Sequence, residues 1–166
     1  METIASQIEA VIGVWFKNGR TLYVKRSDRM ENYPNVWSLL SIQFTPEELP
    51  DFTDLEEVQE VMDRMSKERL GEVPVRLIHY LKSARCSDNP MQVPVTLHLY
   101  QIELESEPEL NPEYYVDCEW FTPEEYTKVS ENATCGLCMR MWSDYCYQRG
   151  LSKTRFAPRV GQDDEQ

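Results

Sequence analysis

Glu56, Arg64, Glu68 and Arg69 fall on one run of the chain, Leu55 to Gly71 (LEEVQEVMDRMSKERLG). Carboxylates three and four residues apart share one face of a helix, and such a turn can offer oxygen ligands to a hard divalent cation. A guanidinium in the same turn can meet a phosphate or a carboxylate through paired N–H donors. Each residue also has an ordinary role. Glu56, three residues after Thr53, completes a T-x-x-E capping box. Glu60 with Arg64, and Arg64 with Glu68, are spaced as helical ion pairs worth about 0.3–0.5 kcal/mol on a solvated face. Arg69 is either a surface charge or a cation that meets a phosphate or Glu68 directly.

The element carrying these residues is an amphipathic helix. Leu55, Val58, Val61, Met62 and Met65 build one apolar stripe, and Gly71 can end the helix in a left-handed turn. Upstream, Ile8 to Phe16 and Thr21 to Lys25 flank Lys17-Asn18-Gly19-Arg20, a hairpin signal, because Asn-Gly accepts the positive φ angles of a tight turn. Trp37 to Phe44 reads as a strand. Thr45-Pro46-Glu47-Glu48 is a further capping box, and Pro50 stops that short helical turn. Val75 to Ala84 and Val93 to Leu104 are β-rich and separated by the turn cluster Ser87-Asp88-Asn89-Pro90. Residues Glu103 to Pro112 form an acidic, proline-punctuated loop, and a last helix is expected between Glu131 and Arg149.

In order, Glu56, seven residues, Arg64, then Glu68 and Gly71 resemble the Nudix box, G-x5-E-x7-R-E-U-x-E-E-x-G-U with U a bulky aliphatic residue. Met65 and Arg69 stand where that box has two further glutamates, and Ser66 and Glu72 replace its aliphatic positions. Trp37-Ser38-Leu39-Leu40-Ser41-Ile42 is similar to the family's W-x-L-P-G-G without the proline and glycines. Ala10 to Ser27 resembles the family's opening hairpin. Glu113 to Tyr126 resembles its closing strand with a tryptophan, followed by a short helix that Thr122-Pro123-Glu124-Glu125 would cap.

This resemblance implies an α/β fold, a Nudix-type α/β/α sandwich. A mixed sheet would lie between the Asp54–Leu70 helix and the C-terminal helix. It implies a metal-dependent pyrophosphohydrolase of nucleoside-diphosphate derivatives, with Glu68, Arg64 and Glu56 catalytic and Arg69 meeting phosphate. The cofactor would be Mg2+ or Mn2+ on Glu68, Glu113 and Asp117. Of the helix turn that supplies the family's metal ligands, Met65, Glu68 and Arg69, one carboxylate survives, so metal binding and the usual activity are expected to be weak or absent. The alternative is a non-catalytic module of the same fold that binds a nucleotide-like small molecule or a protein partner. A homodimer is compatible with either.

The rest of the chain narrows the field. One domain is expected over residues 1–151, with an insertion over 43–53 and a mobile polar tail over 152–166. A formal charge of −12 argues against generic binding to nucleic-acid phosphate. No apolar run is long enough to span a bilayer and no signal segment is evident, so no membrane association is expected. Five cysteines without a disulfide framework suggest a reducing, cytoplasmic setting. Cys135-Gly-Leu-Cys138 lacks a second pair, and Cys135, Cys138, Met139, Trp142 and Cys146 sit at the spacing of a packed helix face. His79 and His98 lie inside strand patterns, and Trp15, Trp37 and Trp120 are expected in the core or on a cleft wall.

Overall fold

The computed structural model describes residues 8–30, 34–44, 48–86, 94–122, 124–125 and 137–151. Its strands are β1 (Ile8–Val14), β2 (Phe16–Lys17), β3 (Arg20–Arg26), β4 (Trp37–Ser38), β5 (Leu40–Phe44), β6 (Val75–Cys86), β7 (Val95–Leu104) and β8 (Tyr115–Phe121). Two helices accompany them, α1 (Leu55–Arg69) and α2 (Leu137–Gln148). One sheet runs β5-β1-β7-β6, with β1 and β7 parallel and its other pairs antiparallel. The second joins β2, β3 and β4, and β8 pairs with β3.

Alternation along the strands separates two apolar layers. Val11 of β1 joins Val58, Val61, Met62 and Met65 of α1, whereas Ala10, Ile12 and Val14 face Cys138, Met139, Trp142 and Cys146 of α2. A period-two strand between two helices thus makes the expected α/β/α sandwich with a mixed sheet. The Asn18-Gly19 turn forms as its sequence requires, at φ 56 and 77. The expected first strand from Ile8 to Phe16 breaks at Trp15, however, so that β1 joins the other sheet and only β2 makes the hairpin with β3. Its tip is tied down by Arg20, whose guanidinium lies 2.7 Å from Glu125. Glu125 and Thr122 bond each other's main-chain N–H, the reciprocal pattern of a capping box. The Thr122 N–H and then Arg20 hold the Glu125 carboxyl below its ordinary range. Among the described residues no helix is long and apolar enough to cross a membrane.

Several details differ from the sequence reading. The N-cap of α1 is Asp54, whose carboxylate accepts from Glu56 N–H; Thr53 instead bonds Asp51 through its hydroxyl and N–H. Glu57 takes the back-reaching role by accepting from Asp51 N–H, so the expected Thr53–Glu56 box does not form. The aspartate one residue later wins because its side chain reaches a free N–H of the first turn. The expected strand from Trp37 to Phe44 is broken at Leu39 into β4 and β5, which belong to different sheets. The capping box at 45–48, the 87–90 turn, Cys135 and the tail at 152–166 fall wholly or partly outside the described residues.

Gly71 follows α1 at φ +72, and a Cβ there would meet Glu109 Cβ at 2.7 Å and the Glu109 carbonyl oxygen at 3.0 Å. Gly19 has a similar φ, +77, with nothing within 4 Å of an added Cβ. Gly71→Ala should therefore cost about 2 kcal/mol of unfolding free energy, against about 1 kcal/mol for Gly19→Ala. Urea melts of the two variants check the ranking; equal losses would mean that loop 105–114 does not close over the end of α1.

Candidate functional site

The polar end of α1 is built by three neighbours: the helix, the loop before β8, and β5. Met65 is fully buried and belongs to the core, as its place in the apolar stripe implied. Ser66, at an aliphatic position of the box, is also buried and donates its hydroxyl to the Val73 carbonyl at 2.5 Å. A small polar side chain replaces a large apolar one there without leaving an unpaired hydroxyl.

Glu68 and Arg69 project from the last turn. Arg69 Nε donates to Glu68 Oε1 at 3.0 Å, and the two side chains are 11 % and 40 % exposed for Arg69 and Glu68 respectively. Arg69 also donates to the Tyr115 hydroxyl at 3.2 Å, and its guanidinium stacks over the Tyr114 ring 4.2 Å from the centroid. Burial opposes the charge on Arg69, but Tyr115 and Glu68 outweigh it and hold its pKa above the ordinary arginine value. The cation is thus permanent.

Tyr115 is fully buried and carries this cation into the sheet. Its hydroxyl accepts from Ser41 N–H at 3.2 Å and lies 3.4 Å from the Ser41 carbonyl, to which it can donate. One phenol therefore links α1, β8 and β5. Asn111 closes the other side: its amide donates to the Glu68 carbonyl at 2.9 Å, and its own N–H donates to the Arg69 carbonyl at 2.9 Å. The Glu109 N–H donates to the Leu70 carbonyl. Carbonyls that the helix end would leave without partners are satisfied by the loop.

The remaining candidates lie in other settings. Glu56 is an exposed first-turn residue whose N–H is taken by Asp54. Arg64 forms neither of the ion pairs its spacing suggested; its guanidinium stacks over the Phe44 ring at 5.1 Å. An aromatic face competes well with an exposed carboxylate, whose attraction water screens. Glu113 is exposed and 3.9 Å from Arg29, and Asp117 accepts from the neighbouring Cys118 N–H. Trp15 meets Trp120 edge-on at 4.8 Å, with the Lys17 ammonium 5.1 Å and 5.4 Å from their ring centres. Trp37 packs against Phe121, so the tryptophans occupy the packing roles expected of them.

Among the described residues no three His, Cys, Asp or Glu side chains are grouped to hold a metal ion. Glu68, Glu113 and Asp117 therefore do not make the single centre that the resemblance implied. The divalent cation of that chemistry does not fit the residues of the box turn either. Its seat would combine a buried thioether, one carboxylate and a fixed guanidinium, and that guanidinium already neutralises the carboxylate. Tyr115 and Asn111, the residues that organise this corner, carry no local sequence signal; their partners lie far away along the chain.

No family model matches the chain, and no curated protein matches it. Solved structures do. The MutT protein from Methanosarcina mazei Go1 has a TM-score of 0.65 at 14% identity, covering 89% of this chain and 99% of that one. The NUDIX hydrolase from Nitrosomonas europaea has a TM-score of 0.63 at 14% identity, covering 86% and 88%. The C-terminal domain of mouse MUTYH, solved in complex with human PCNA, has a TM-score of 0.54 at 18% identity, covering 92% and 94%. The chain has the Nudix fold.

Tyr115→Phe deletes the hydroxyl shared by Arg69 and Ser41 while keeping the ring. It should cost about 2 kcal/mol, because buried donors on both sides lose a partner. Chemical denaturation checks this; a loss below about 0.5 kcal/mol would mean that water or a shifted side chain serves equally well.

Proposed function

We propose that this protein is a Nudix-fold binding module for a nucleotide-like, phosphate-bearing small molecule, without metal-dependent pyrophosphohydrolase activity. The observation that supports this reading is the Arg69–Glu68 pair, 3.0 Å apart in the turn where the box has its glutamates. Substitution at phosphorus needs positive charge held against the phosphoryl oxygens, and a metal commonly supplies it. Here the fixed positive charge is a guanidinium. It has five N–H donors, of which the contacts with Glu68 and Tyr115 use two, so it keeps donors for a phosphate oxygen. A guanidinium binds such an oxygen well, yet it cannot generate a bound hydroxide as a metal does.

The fold is compatible with this division, since its solved relatives include both proteins named as hydrolases and a domain held by a partner protein. A hydrolase reading would rest on Glu68 as the surviving carboxylate, with Arg64 and Glu56 in support. Arg64 on Phe44 and Glu56 in the exposed first turn give that reading little.

A hydrolysis screen over dinucleoside polyphosphates, nucleotide sugars, ADP-ribose and nucleoside triphosphates, with magnesium and with manganese, should show no turnover above buffer. In thermal-shift titrations with the same compounds at least one should raise the melting temperature of the wild type, and Arg69→Gln should abolish that rise. Turnover that Glu68→Gln reduces by about tenfold or more, near 1.4 kcal/mol of transition-state stabilisation, would establish the hydrolase instead.

The seat itself can be rebuilt. Met65→Glu with Arg69→Glu places three carboxylates on one helix turn, which should repel one another and lower stability in metal-free buffer. Millimolar magnesium should then raise the melting temperature of the double variant and leave that of the wild type unchanged, since a ligand stabilises the state that binds it. Identical magnesium responses would reject the correspondence between this turn and a metal seat.

A further inference from the structure

A second constellation lies on the sheet, built from three adjacent strands. His98 of β7 has Nε2 2.7 Å from Glu9 Oε1 of β1, and Nδ1 2.8 Å from Ser83 Oγ of β6. The Tyr80 hydroxyl donates to Ser83 Oγ at 2.9 Å. One assignment of protons satisfies the whole chain. Tyr80 donates to Ser83, which leaves the serine proton for His98 Nδ1 and the Nε2–H for the Glu9 carboxylate. The tautomer that a general base requires is thus the one that Glu9 favours.

Strand irregularity creates this alignment. Ser83 pairs directly with His98 and Tyr80 with Tyr100, but the register slips between Tyr80 and Lys82. In a regular strand, residues three apart point to opposite faces; the bulge brings Tyr80 and Ser83 onto one face. The Phe52 ring stacks on the imidazole, 4.0 Å between centres and 21° between planes, and fixes its orientation. His98 and Glu9 side chains are 13% and 15% exposed, whereas Tyr80 is half exposed and Ser83 partly so. Base and carboxylate are sheltered while the hydroxyl end is open to solvent.

We propose that Ser83 is an activated nucleophile, with His98 as its general base and Glu9 as the positioning carboxylate, and that it accepts acyl groups from small activated esters. Ser83 Oγ bonds to the acyl carbon as its proton moves to His98 Nδ1. The Tyr80 O–H, next to the attacking oxygen, can donate to the carbonyl oxygen as it gains charge. The ester C–O bond breaks, and the departing alkoxide takes the proton from His98. Water repeats the sequence on the acyl-serine, releasing the carboxylic acid and restoring the Ser83 hydroxyl. This activity is independent of the Arg69 turn and of any metal there.

Treating the full-length protein with a fluorophosphonate probe and mapping the adduct by peptide mass spectrometry tests the proposal. One adduct is expected, on Ser83. Its rate should fall at least about a hundredfold in His98→Gln, the low end of what a general base contributes. Glu9→Gln, which keeps an acceptor but loses the charge, should lower kcat for p-nitrophenyl acetate with little change in KM, and Glu9→Asp should restore part of it. No adduct on the wild type, an adduct on another residue, or equal labelling of His98→Gln would overturn the assignment. Unequal kcat and KM effects at Glu9 separate a charge role from loosened packing, which would also be recorded as a drop in melting temperature; an unchanged kcat in Glu9→Gln would remove Glu9 from the site.

Discussion

A guanidinium confined between a helix end, a buried phenol and a loop must keep its partners or leave. Arg69 keeps them. Glu68 takes one N–H, Tyr115 another, and the Tyr114 ring covers the face. Tyr115 then has to remain where its hydroxyl also meets the Ser41 main chain, which sets the distance between β8 and β5. Asn111 has to stay over the last turn of α1, because the Glu68 and Arg69 carbonyls bond it. An arginine left unpaired in such a corner would be strongly destabilising, so the charge organises the loop rather than decorating it.

Much of the architecture was legible in the sequence because it follows from local periodicity. The stripe Val58, Val61, Met62 and Met65, the Asn18-Gly19 turn and the Thr122–Glu125 box are all rules of spacing or turn chemistry, and each took the expected form, except that Leu55, expected at the start of the stripe, is exposed. Misreadings arose where two local options were nearly equal or where tertiary contacts decide. Asp54 displaced Thr53 as the cap by a single residue. Arg64 chose the Phe44 ring over carboxylates at helical spacing, a choice fixed only when β5 packs against α1.

The candidate site was partly legible. The sequence singles out Glu68 as the surviving carboxylate and leaves Arg69 as a surface charge or as a cation meeting a phosphate or Glu68; the structure shows the pair with Glu68. The roles of Tyr115 and Asn111 were illegible, since their contacts join residues remote in sequence. The Glu9–His98–Ser83 chain was illegible for a sharper reason. It needs the exact order of three strands and a bulge, and His98 in a strand pattern suggests a core or sheet-face residue. The two constellations differ in kind: one seals a helix end with a permanent cation, and the other holds an imidazole against a hydroxyl.

The central claim is that a guanidinium fills the place where the fold's hydrolases would seat a divalent cation. Paramagnetic manganese reads this directly, because it broadens amide resonances near any site it occupies. In a titration of the isotopically labelled protein, the amides of Glu68, Arg69 and Tyr115 should stay sharp through micromolar manganese. Selective broadening of these resonances at micromolar manganese, reversed by excess magnesium, would contradict the account.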